Sequence, residues 1–303
     1  MDMQKTFLVA VEPEGPRADD VIRRAIDLAL LCNASLTLLH VVPEGLMQAA
    51  DELQSASRGA VEDHLLQNAG RAVDALVASY PDIAIDVRIT PGAPAFAIAD
   101  VAGTLSADLI IMGVNEQSPL RARIMGSTTE RVIQMAVAPV LVVKRAGTER
   151  YRRILAAVDF SPGSEAAAAV AATLGDDITL SLVHVLHVPI QFEQALITSG
   201  AGQRGIDTFH KSRKTTAEKR LAALATRITS AASGIDTSVL TGEPVSTLVK
   251  LSRSLNTELM SLGAEQRHPL MRVLLGSVAS HLLNEATCDL LIDCAPTAPD
   301  NAA

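Results

Sequence analysis

Leu262-Gly263-Ala264-Glu265-Gln266, followed after nine residues by Gly276-Ser277-Val278-Ala279-Ser280, is the stretch on which the fold of this 303-residue chain turns. The run into Gly263 has strand character, Ala264–Leu275 reads as a loop, Gly276-Ser277 opens a helix, and Cys288–Ile292 is an apolar run of strand length. A second copy lies upstream: Met112-Gly113, the loop Val114–Met125, Gly126-Ser127, a helix and the run Pro139–Val143. The copies keep one register. Gly92 and Gly242, Pro94 and Pro244, Gly113 and Gly263, and Gly126 and Gly276 all sit at a single offset, so the chain is a tandem repeat.

Working outward, each half alternates strand and helix signals. In the first half Phe7–Val11, Leu36–Val42, Ile83–Ile89, Asp108–Met112 and Pro139–Val143 read as strands. The segments ending at Cys32, spanning Leu53–Ser79 and Ala95–Leu105, and opening at Ser127 read as helices. Asp19 or Asp20 is the expected cap of the first helix, and Ser127 with Glu130 has capping-box spacing. The second half repeats the order, with an Ala-rich helix at Ser164–Leu174 and a connection His187–Gly205 expected to be irregular. Strands separated by helices throughout predict an α/β fold: two tandem open parallel five-stranded sheets with helices on both faces. The expected domains are 1–147 and 151–295, with 296–303 a flexible tail.

Composition narrows the function. Aromatics make up 2% of the chain and the formal charge is −8, which argues against base-stacking platforms and phosphate-backbone binding, so no nucleic-acid partner is expected. Cys32, Cys288 and Cys294 show no CxxC spacing, which fits a reducing compartment, and no stretch has the length of a membrane span, so a cytoplasmic chain with no membrane partner is expected. His184 and His187, three apart on a strand, point to opposite faces and do not form a metal pair.

Gly263 ends a strand at the carboxyl edge of the sheet, where open α/β folds bind ligands, and Gly276-Ser277 sets amides at a helix N-terminus beside it. That arrangement suits a phosphate. A turn glycine and an ordinary N-cap serine would produce the same letters, so both readings stand at this point. Arg121, Arg123, Arg267 and Arg272 fall inside the nine-residue spans, either as phosphate partners or as solvated loop charge.

The motif Gly, two residues, a third position, nine residues, Gly-Ser resembles the signature of the universal stress protein family. The stretches Ile154–Ser161, Leu182–Val185 and Leu274–Ser280 are also similar to it. The resemblance implies an adenine nucleotide, ATP or a relative, with Mg as its companion, above the carboxyl edge of the sheet. In the second half the matching positions are Asp159, Val185, Gly263, Gln266, Gly276, Ser277 and Val278; in the first they are Glu12, Val41, Gly113, Gly126 and Ser127. It also implies a non-catalytic stress-response protein whose last strands pair within the chain as an internal pseudo-dimer. A further homodimer is left open.

Both halves depart from the signature, because its middle glycine is Glu116 in the first and Gln266 in the second. A carboxylate about 5 Å from a phosphate charge costs roughly 3 kcal/mol at an effective dielectric near 20, about two decades of affinity, whereas a neutral Gln can donate a hydrogen bond. A retained nucleotide is therefore expected in the second half, with the first mainly structural. The alternatives are a slow ATP hydrolase or nucleotidyl-transfer enzyme, against which stands the lack of a Walker loop, and a nucleotide-independent interaction scaffold.

Overall fold

The computed structural model describes residues 4–44, 55–114, 128–147, 150–188, 190–198, 202–228, 234–264 and 275–293. The first half runs β1 (Thr6–Ala10), α1 (Ala18–Cys32), β2 (Ser35–Pro43), α2 (Ser55–Val77), β3 (Ile85–Gly92), α3 (Pro94–Thr104), β4 (Leu109–Gly113), α4 (Thr128–Met135) and β5 (Val140–Val143). The second runs β6 (Tyr151–Ala157), α5 (Pro162–Ala171), β7 (Gly175–Leu186), α6 (Ile190–Thr198), α7 (Gln203–Ile228), β8 (Gly234–Thr241), α8 (Pro244–Ser254), β9 (Leu259–Gly263), α9 (Ser277–Glu285) and β10 (Asp289–Asp293).

Each half supplies five parallel strands, and the two sets join into one ten-stranded sheet ordered β3-β2-β1-β4-β5-β10-β9-β6-β7-β8. The join is the antiparallel pair β5 and β10, with Val140 opposite Ile292, Leu141 opposite Leu291 and Val142 opposite Leu290. All the other pairs are parallel. Because Leu141 and Leu291 are the same repeat position, the local two-fold passes between them. The strands of the two halves therefore run in opposite senses, and their carboxyl ends lie on opposite edges of the sheet.

The central strands are buried on both faces, as continuous runs such as Leu109–Met112, Val140–Val143 and Leu290–Ile292 require. One apolar layer holds Val21, Ile22, Leu141, Tyr151, Ala168, Leu221 and Leu291; the other holds Ile98, Ile133, Val142, Leu248, Met260, Leu283 and Leu290. Each layer draws on both halves. Burial of a Leu or Ile side chain stabilises by about 1.5–3 kcal/mol, so these layers dominate cohesion across the seam.

A polar knot completes the seam. Asp289, fully buried, accepts the backbone N–H of Lys144 and of Arg145 at 2.8 and 2.9 Å through Oδ1, and the Tyr151 hydroxyl at 2.6 Å through Oδ2. The buried Arg24 Nε lies 3.5 Å from the same Oδ2, and its guanidinium sits 4.3 Å from the centre of the Tyr151 ring. Burial, reinforced by the negative charge of Asp289, pushes the Tyr151 phenol well above its ordinary pKa, so it stays a donor.

Two local expectations are corrected. α1 starts at Ala18 after Arg17 with no side-chain cap; Asp19 and Asp20 lie in its first turn, where they complement the helix dipole instead. Asn33 does end that helix, in the left-handed conformation at φ 50°. The connection after β7 contains helix α6, because Ile190–Thr198 holds neither Gly nor Pro and Phe192 pairs with Phe209 of α7 at 5.3 Å. Ser127, and with it the capping-box expectation, falls outside the described residues.

Candidate functional site

In the second half, a cleft of about 210 Å³ lies at the carboxyl edge, bounded by Asp159 after β6, His184 and Val185 at the end of β7, Gly263 ending β9, and Gly276, Ser277, Val278 and Ala279 at the start of α9. Pro244 and Leu248 of α8 and Leu262 form its apolar wall. Of the residues expected from the sequence, Asp159, Val185, Gly263, Gly276, Ser277 and Val278 thus come together around one space. Gln266 lies outside the described residues, as do Arg267 and Arg272.

The two glycines differ in what they do. A Cβ on Gly263 would sit 2.4 Å from the backbone nitrogen of Ser164 and 2.8 Å from the carbonyl carbon of Gly163, so the N-terminus of α5 packs directly on the end of β9. Glycine is required there by packing. At Gly276 a Cβ would meet nothing within 4 Å, and φ −58°, ψ 153° is open to any residue. No packing demand of the described residues explains that glycine, while it keeps one wall of the cleft bare.

The first hydrogen bond of α9 is from Ser280 N–H to the Gly276 carbonyl, so the amides of Ser277, Val278 and Ala279 precede the helical ladder and have no acceptor within it. Gly276 supplies no side-chain cap. These donors and the helix dipole make the end of α9 receptive to negative charge.

Asp159 is fixed by its own turn. Its Oδ1 accepts the Ser161 N–H at 2.9 Å and the Ser161 hydroxyl at 2.6 Å, and Ser161 in turn caps α5. Burial pushes the carboxyl up, but the hydrogen bonds from Ser161 and its surroundings outweigh it and hold the group below its ordinary value. The following Phe160 has φ 67°, rare for a bulky residue. Its ring lies between the His184 ring, 4.6 Å away, and the Arg220 guanidinium, 4.1 Å away.

The first half has the larger cleft, about 310 Å³, lined by Glu12, Val41, Gly113, Thr128 and Thr129, with Pro94, Ile98 and Met112 among its apolar wall. It extends under the start of α1, from Gly15 to Val21, whereas nothing from α5 lines the second cleft. Among the described residues, a Cβ on Gly113 would meet the Val21 side chain at 3.0 Å and the Arg17 side chain at 3.8 Å. Glu12, Val41 and Gly113 are therefore gathered as the sequence reading had them; Gly126, Ser127, Glu116, Arg121 and Arg123 lie outside the described residues.

Other contributors were written in the repeat without being read as site residues. His184 Nδ1 lies 2.7 Å from the Val158 carbonyl, and His40 Nδ1 lies 3.0 Å from that of Val11, so each half ties strand two to the end of strand one with a histidine. The matched pairs Pro94 and Pro244 open α3 and α8 against the two clefts. His187 turns to the Gly242 carbonyl at 3.3 Å, away from the His184 partner, and among the described residues no three His, Cys, Asp or Glu groups gather for a metal.

Comparison with known proteins agrees with this architecture. The profile of the universal stress protein family matches residues 3–144 and again 150–293. The chain is similar to a universal stress protein of Methanocaldococcus jannaschii, 41% identical over 63 residues that make up 21% of this chain and 37% of that protein. It is also similar to universal stress protein A homolog 2 of Coxiella burnetii, 31% identical over 149 residues, 49% of this chain and 100% of that protein. In fold, it matches the crystal structure of a universal stress protein from Archaeoglobus fulgidus with a TM-score of 0.67 at 15% identity, covering 98% of this chain and 97% of that one. The chain belongs to the universal stress protein family, with one copy of the family's unit in each half.

Proposed function

We propose that this protein is a non-catalytic stress-response regulator, built as two domains, 1–147 and 151–295, that form an internal pseudo-dimer and bind an adenine nucleotide in the second domain. The observation that carries the nucleotide site is the start of α9: three amides outside the helical ladder bordering a cleft beside a glycine that no described neighbour requires. Those groups fit a phosphate. Asp159 directs Oδ1 to Ser161 and keeps Oδ2 for a ribose hydroxyl, while Leu248, Leu262 and Val185 offer apolar surface for the base. A bound Mg ion would travel with the phosphates; we assign it no protein ligand.

One observation favours a second location: the 310 Å³ cleft of the first domain reaches the roughly 300–1,000 Å³ range usual for small-molecule sites, and the second cleft does not. Calorimetric titration of ATP into the intact chain and into Gly276→Leu separates the two. A Cβ at this position meets no described atom within 4 Å, so the substitution adds bulk at the bare wall, and an unchanged melting temperature checks that the fold is kept. Affinity should fall at least tenfold; unchanged affinity assigns the nucleotide to the first domain, and absent binding by the unmodified chain supports a nucleotide-independent scaffold.

A further inference from the structure

Helix α7 is longer than β8, the edge strand it packs on. Its 26 residues span about 39 Å, against about 27 Å for the eight residues of β8. Ala217, Leu221, Leu224 and Ile228 bury its later turns. Before them, from Arg204 to Thr216, Ile206 alone is buried, so the first three turns stand beyond the carboxyl edge with α6 folded against them through Phe192 and Phe209.

This tip is chemically unlike the rest of the chain. Residues 204–216 carry four Lys or Arg against Asp207, in a protein whose formal charge is −8. All four are exposed, and the described residues give Arg204, Lys211 and Lys214 no ion-pair partner. Beside them, the sequence from His187 to Gly202 holds Glu193 as its one acid and no Lys or Arg, and it exposes Phe192 at 45% and Ile197 at 62%.

We propose that the α6–α7 tip is a peripheral docking surface for an anionic lipid bilayer. Basic groups on the outward side of α7 meet acidic headgroups, and the exposed Phe192 and Ile197 of α6 reach the interfacial layer. The acidic remainder of the chain does not oppose this, because charges farther away than about 8 Å are screened at physiological salt. Neither of the two clefts contains a residue of α6 or α7, so neither offers the tip a groove for a peptide. No described helix is long and apolar enough to cross a membrane, so contact stays at the surface.

The test is co-sedimentation of the full chain with vesicles of phosphatidylcholine alone and of phosphatidylcholine with one-third phosphatidylserine. Partition should require phosphatidylserine, weaken with added salt, fall about a hundredfold in Arg204→Gln/Lys211→Gln/Lys214→Gln, and fall in Ile197→Ser. The charge-conserving variant Arg204→Lys/Lys211→Arg/Lys214→Arg should partition like the unmodified chain, and circular dichroism should be unchanged in every variant. Equal partition to both vesicles, no partition, insensitivity to the Gln substitutions, or a shift of duplex DNA without vesicle binding would overturn the proposal. Nucleotide binding plays no part in the readout.

Discussion

Asp289 accepts three hydrogen bonds and pairs with Arg24, drawing on three separate segments without any exposure to water, which makes it the residue whose loss should be felt most. Asp289→Ala leaves Arg24 buried beside a vacancy and strips two backbone amides of their acceptor. Removing one partner of a buried pair typically costs about 3–5 kcal/mol, and a drop of that size is expected in urea denaturation of the intact chain. Asp159 makes a second prediction, set by pH. Its carboxyl is lowered in the folded state, so its contribution is complete above the ordinary carboxylate range and disappears as pH falls through the folded value. Asp159→Asn should therefore lower the melting temperature at pH 6, and the deficit should shrink as pH falls below the ordinary carboxylate range. At this scale the sequence was legible where chemistry repeats: Gly263 and Gly276 were readable from motif spacing, and Asp159 and Val185 from the resemblance to the family. The reason for Gly263 was not, because it is the backbone of Gly163 and Ser164, a hundred residues earlier in the chain, that demands it.

Among the elements, α5 and α1 show how one motif yields two clefts. The Ala-rich face of α5, with Ala167, Ala168 and Ala171 fully buried, brings the helix close enough for its first turn to close on Gly263; the bulkier Val21 and Ile22 hold α1 off β4. Gly263→Ala should cost about 1–3 kcal/mol, because backbone must move, whereas Gly113→Ala presses a valine methyl group and should cost less than about 1 kcal/mol. Thermal melts of the two variants check the contrast, and equal losses would remove this account of the different cleft sizes. Apart from α6, strand and helix order was legible, since periodicity reports burial directly. Helix α6 was not, because Ser199-Gly200-Ala201-Gly202 next to it carries a loop signature and the contact that supports it is made to Phe209. The relative size of the clefts was equally hidden, being a matter of how closely helices approach.

At the scale of the molecule, two apolar layers cross the β5–β10 pair without interruption, so the halves should not melt independently. Calorimetry of the intact chain should give one transition with matching calorimetric and van't Hoff enthalpies; two resolved transitions would mean that the seam adds little. The outer strands β3 and β8 are the edges of the sheet, and the seam leaves no edge at its centre.

That seam also frees the sequence. In a dimer of identical chains, an isologous contact obliges both partners to present the same residue, so an acid placed beside the axis is met by its own copy. Joining the halves in one chain lifts the obligation. Leu141 and Leu291 still face each other as the symmetry dictates, yet the position that is Asp289 on one strand is Pro139 on the other. One carboxylate, with Tyr151, Arg24 and the amides after β5 gathered on it, can fasten a junction where two would repel. Covalent linkage thus permits an asymmetric lock at a symmetric interface, and it leaves each cleft at liberty to change without changing the other.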